Sequence, residues 1–155
     1  FWTGWTYNLF NGNIYLSSEV PKSYFWNRLR AFDEIQTLLP KSITEVKLPD
    51  NFSNKIGDIR YVYLDQPYKG EVIERLDGYL EGSFLTYSII DKSCLPMVNY
   101  VACVTLTEVS DSETDVHWCS HFVAEGAPEE EVVTMLEALY NLIYDNAEIQ
   151  YKESQ

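Results

Sequence analysis

Basic residues are scarce in this chain: 11 Lys and Arg stand against 24 Asp and Glu, a formal net charge of −13 over 155 residues. Such a surface repels phosphate backbones and anionic bilayers, so neither nucleic acid nor a membrane is an expected partner. Cysteine is also sparse. Cys94, Cys103 and Cys119 make an odd, unclustered set, which argues against a disulfide framework and suits a reducing, cytoplasmic setting. No apolar run approaches the roughly 18 residues that would suggest a membrane span. The glycines form neither a GxGxxG nor a P-loop pattern. The chain begins at Phe1 rather than Met, as expected of a trimmed or excised domain, and nothing beside Phe1 reads as a signal peptide.

What is abundant is apolar and aromatic. Hydrophobic residues make up 46% of the chain, enough for the core of one domain over residues 1–155. Twelve Tyr and four Trp supply rings with a polar tip, which suit a ligand cavity as well as an ordinary core. The start, Phe1-Trp2-Thr3-Gly4-Trp5, is unusually aromatic, and residues 1–11 read as an extension.

Hydrophobic periodicity orders the rest. Asn13 to Val20 reads as a strand, and Pro21 opens a helix whose apolar face is Phe25, Trp26, Leu29 and Phe32. Asp33 is placed to cap a second short helix ending at Leu39-Pro40. Six strands follow: Ile43 to Leu48, Ile56 to Leu64, Gly70 to Leu80, Phe84 to Ile90, Val98 to Val109 and Thr114 to Ala124. Glu125-Gly126-Ala127-Pro128 breaks the last strand. Glu129, Glu130 and Glu131 then favour the positive end of a helix dipole. In that helix Val132, Leu136, Leu139, Ile143 and Ala147 form one stripe, widened by Val133, Tyr140 and Tyr144. Short turns between consecutive strands imply an antiparallel meander. The expected fold is therefore α+β, with a curved antiparallel sheet of about seven strands around a long C-terminal helix. Two short helices follow the first strand, and a cleft lies between the two layers.

Strand alternation gives the sharper signal. Glu74 lies between Val72 and Leu76 on one face of its strand, so it points inward. A buried carboxylate needs a partner, and Arg60 on the preceding strand is the natural one. The parity of Arg60 alone leaves its face ambiguous, because Ile59, Tyr61 and Tyr63 are apolar too. Two readings stay open: a structural ion pair inside the sheet, or a pair projecting into a ligand cavity beside Tyr100. In the second, Glu74 exchanges protons, Arg60 anchors an oxyanion and Tyr100 donates a hydrogen bond. Tyr87, Asn99 and Trp118 are expected to line the cavity from the sheet, and Leu136 and Tyr140 from the helix. His117, Cys119 and His121 alternate on one strand, a spacing two metal ligands can use. Trp118 claims the inner face there, which places the trio outside. Neither a metal, another cofactor nor a Cys-His nucleophile is expected.

These stretches also carry a resemblance. Gly57-Asp58-Ile59-Arg60-Tyr61, Glu71-Val72-Ile73-Glu74-Arg75-Leu76, Thr86-Tyr87-Ser88-Ile89, Leu95-Pro96-Met97-Val98-Asn99-Tyr100 and Val116-His117-Trp118 resemble the START-like helix-grip (SRPBCC, Bet v 1-like) superfamily. The match is to its polyketide cyclase/dehydrase and lipid-transport branch, over about Asn13 to Ala147. Within that branch the chain is similar to lachrymatory factor synthase-like proteins, whose essential Arg and Glu and cavity Tyr fall on Arg60, Glu74 and Tyr100. The resemblance implies a cyclase, dehydratase or isomerase acting on a small apolar, polyketide-like oxygenated substrate, or a carrier or sensor of a small hydrophobic ligand. A second copy of the chain, in a homodimer, is the one macromolecular partner kept open. The loops Asp65-Gln66-Pro67-Tyr68 and Asp91-Lys92-Ser93-Cys94 lack the gate and latch sequences of the superfamily's plant hormone receptors.

Overall fold

A computed structural model describes residues 11–155. The aromatic start lies outside the described residues. Strand β1 (Gly12–Ser18) is followed by helix α1 (Lys22–Arg30), a 3-10 turn (Phe32–Glu34) and the short helix α2 (Ile35–Leu38). Then come β2 (Ile43–Lys47), β3 (Ile59–Leu64), β4 (Gly70–Leu80), β5 (Phe84–Ile90), β6 (Met97–Ser110), β7 (Glu113–Ala124) and helix α3 (Glu129–Glu153). The strands form one antiparallel sheet in the order β1-β7-β6-β5-β4-β3-β2. The expected meander runs from β2 to β7, and β1 closes against β7 at the far edge. Among the described residues no helix is long and apolar enough to cross a membrane.

Some boundaries differ from expectation, for local reasons. β1 stops at Ser18, and the Val20 carbonyl accepts from Thr114 Oγ1 at 2.7 Å instead of continuing the strand. β3 starts at Ile59, because Gly57 turns the chain at φ +94° with its N–H donating to the Leu76 carbonyl. Asp33 caps nothing: it lies inside the 3-10 turn, whose N-cap, Ala31, makes no side-chain capping bond. Pro21 does stand at the N-cap of α1.

The α3 stripe packs against the sheet and α1, burying Val132, Leu136, Tyr140, Ile143, Tyr144 and Ala147. Each fully buried aliphatic here contributes roughly 1.5–3 kcal/mol. α3 also fixes the small helices over the sheet. Asn146 Nδ2 donates to the Leu38 carbonyl and Gln150 Nε2 to that of Thr37, both at 2.7 Å. From the other side, the Trp26 indole donates to Glu81 Oε1 in the β4–β5 turn at 2.7 Å. The segment between α1 and α2 is thereby held over the inner sheet face, and a space remains beneath it.

Candidate active site

That space is a cavity of about 80 Å³. It suits a small molecule and not a long acyl chain. Its wall is mostly apolar, from Phe32, Ile35, Val62, Val72, Leu136, Leu139 and Ile143 among others.

The polar wall comes from adjacent strands in register. Arg60 of β3 stands directly opposite Glu74 of β4, so both side chains leave the sheet on the same face. This settles the face of Arg60. Arg60 Nη2 donates to Glu74 Oε2 at 3.2 Å, with the two side chains only 6% and 13% exposed. Arg60 Nη1 donates to the Phe32 carbonyl at 2.7 Å, and the guanidinium lies 3.7 Å from the centroid of the Phe32 ring. Asn54, in the left-handed conformation at φ +59°, steadies that segment. Its Nδ2 donates to the Arg30 carbonyl, and its Oδ1 accepts from the Phe32 N–H at 3.4 Å. Among the described residues, Glu74 Oε1 accepts no hydrogen bond.

Beside the pair, with the Tyr87 ring 6.0 Å from the Arg60 guanidinium, Tyr87, Tyr100 and Tyr140 join their hydroxyls in a chain. Tyr87 and Tyr100 are 3.1 Å apart, and the Tyr100 hydroxyl also bonds that of Tyr140. Trp118 stacks on Tyr140 at 4.7 Å and meets the Tyr87 ring edge-on at 6.3 Å. Burial above all pushes the Tyr87 and Tyr100 hydroxyls well above the usual phenol range, and it raises Tyr140 too. The negative charge of Glu74 is a lesser cause for Tyr87 and Tyr140. All three are therefore neutral hydrogen-bond donors at ordinary pH.

A titration follows. The folded values are raised above the unfolded phenol value of about 10, so folding is favoured below that pH and this contribution is lost as pH rises through the raised folded values. Absorbance at the phenolate band should show these three of the twelve tyrosines ionising only together with unfolding. Full ionisation in the folded protein near pH ~10 would contradict their burial.

Of the expected site residues, Arg60, Glu74, Tyr87, Tyr100, Trp118 and Leu136 line the cavity. Two do not. Tyr140 stands behind Trp118 and reaches the site through the Tyr100 hydroxyl. Asn99 is exposed: β6 carries a bulge between Val98 and Val101, Asn99 takes φ +57°, and its side chain lines an outer cleft of about 450 Å³ with Asp91, Lys92, Ser93 and Glu125. Ile89, Leu95, Met97 and Tyr100 border both spaces, so the partition between cavity and cleft is one layer of side chains thick. Phe32 was read only as part of an apolar stripe, yet its ring and carbonyl seat the Arg60 guanidinium.

His117 and His121 lie off the cavity, His121 exposed and His117 stacked on Tyr15 at 3.9 Å. Cys119 faces Cys103 across β6–β7 and is buried. Among the described residues no three His, Cys, Asp or Glu side chains are grouped to hold a metal ion.

No protein-family model matches the chain, and no curated protein does. Solved structures do. An uncharacterised protein from Bacillus thuringiensis superposes with a TM-score of 0.73 at 20% identity, over 90% of this chain and 96% of its own. The protein XoxI from Bacillus cereus gives 0.73 at 21%, over 90% and 95%. A protein from Nitrosospira multiformis gives 0.69 at 21%, again over 90% and 95%. At these identities the likeness is one of fold.

Proposed function

We propose that the chain is a helix-grip protein of the START-like type that acts as a cyclase, dehydratase or isomerase on a small apolar oxygenated, polyketide-like substrate held in the cavity. One observation carries this: a carboxylate and a guanidinium in direct cross-strand register line an otherwise apolar pocket, beside neutral tyrosine hydroxyls.

The shared step is proton transfer at the carbon beside a carbonyl. Glu74 takes that proton, the electron pair moves onto the carbonyl oxygen, and Arg60 with the Tyr100 hydroxyl stabilises the resulting oxyanion. Return of the proton to another carbon isomerises the substrate. Protonation of a β-hydroxyl releases water, and attack of the carbanion on a second carbonyl closes a ring. The apolar walls strengthen each of these contacts.

A second reading, a carrier or sensor of a small hydrophobic ligand, is favoured by a different observation. Both terminal nitrogens of Arg60 already have partners within the protein, Glu74 and the Phe32 carbonyl. Incubation in D₂O with a panel of small ketones and aldehydes separates the two. The enzyme reading expects α-deuteration, followed by proton NMR, well above the buffer rate for at least one of them. Binding without any enhancement across the panel leaves the carrier.

A further inference from the structure

Resting on the cavity being the ligand site as proposed above, the inventory of its charges and donors narrows what it holds. Of the three charged residues in its wall, Arg60 and Glu74 pair and cancel. Arg28 also borders the space; its terminal nitrogens are engaged by Thr37 Oγ1, Gln150 Oε1 and, at 3.8 Å, Glu34, all on residues beyond the cavity wall, while its Nε is buried without a partner among the described residues. Its charge is shared with Glu34, a carboxylate outside the wall. An anionic ligand would have to displace Glu74 from Arg60 and strand it, or remain unpaired itself. Either leaves one buried charge without a partner.

The donor balance points the same way. Trp118 Nε1, Arg60 Nε and Arg28 Nε are buried and have no hydrogen-bond partner among the described residues, and all three side chains line the cavity. Buried donors without acceptors are costly, so an occupant that supplies oxygen is favoured over one that supplies none. The small volume sets the size.

We infer that the cavity selects a small neutral molecule carrying an acceptor oxygen, of the ketone, aldehyde or lactone class, and rejects carboxylates and plain hydrocarbons of the same shape. The chain of Tyr87, Tyr100 and Tyr140 hydroxyls uses two of its three protons internally, and the one left can serve the same acceptor.

Three probes of one shape test this on the full chain at pH ~7, where a carboxylic acid is ionised: cyclohexanone, cyclohexanecarboxylate and methylcyclohexane. Binding is followed by nitrogen–proton correlation NMR of the indole signals, with that of Trp118 assigned by its loss in Trp118→Phe. Cyclohexanone is expected to bind about tenfold or more tighter than either analogue and to shift the Trp118 indole N–H. Carboxylate or hydrocarbon binding as tight as the ketone would overturn the inference. So would an unmoved Trp118 signal, or no ketone binding in the millimolar range. If Trp118→Phe does not fold, selective labelling of tryptophan and contacts to the Tyr140 ring assign the signal, and the ranking on the native chain stands alone. Because only binding is read, the ranking is separable from turnover: an intact ranking without α-deuteration would sink the enzyme reading and leave the ligand class in place.

Discussion

Glu74→Gln is expected to lower catalysed α-hydrogen exchange by about 10²–10⁴-fold, the usual contribution of a positioned base, while ligand affinity changes by no more than about tenfold. The substitution keeps size and shape. The new amide oxygen would still accept from Arg60, so the cavity wall should hold its form. What the variant loses is the ability to take a proton, and among the described residues no other carboxylate lines the cavity to replace it. Cys119 and the histidines of β7 are not in the wall, and the three tyrosines are held protonated. Separate measurement of the exchange rate and the dissociation constant checks the split. An exchange rate equal to that of the native chain would remove Glu74 from the chemistry.

The largest stability effect should come from the other half of the pair. Arg60→Leu is expected to destabilise the protein by about 3–5 kcal/mol, the range for removing one partner of a buried ion pair. Three losses coincide: Glu74 is left charged and 13% exposed, the Phe32 carbonyl loses its 2.7 Å donor, and the guanidinium no longer covers the Phe32 ring. Leucine fills much of the space, so a cavity contributes little. The double variant Arg60→Leu, Glu74→Leu isolates the cause. With no charge left to strand, it should recover most of the loss. Urea unfolding with an unchanged slope reads both values. A double variant as unstable as Arg60→Leu would mean that the guanidinium acts through its packing on Phe32 and not through charge.

The separation of these two effects mirrors what could be read from residues alone. The parity of β4 placed Glu74 inward between Val72 and Leu76, and both neighbours are buried. Parity failed for Arg60, because β3 is apolar on both faces. Only the register with β4 resolves it. Alternation also fails at Asn99, where a bulge with a left-handed residue inserts an extra position that no count of twos detects. Tyr140 was correctly assigned to the inner stripe of α3, but its rotation behind Trp118 depends on how the helix docks across the sheet. The bond between Tyr100 and Tyr140 joins residues 40 apart in the chain. Phe32 shows the deepest limit: besides its ring it contributes a main-chain carbonyl, which carries no side-chain signature. Periodicity therefore reaches the layers and the inward carboxylate, whereas the cluster around it arises from register, bulge and helix docking.

The proposed chemistry requires a small molecule inside the cavity against the charged pair. Intermolecular NOEs from bound cyclohexanone to the protein test that most directly. Contacts are expected to the ring protons of Tyr87 and Trp118 and to the methyl groups of Leu136 and Val72, all of which line the cavity. Contacts confined to Lys92, Asn99 and Glu125 of the outer cleft, with none to Leu136 or Trp118, would contradict it.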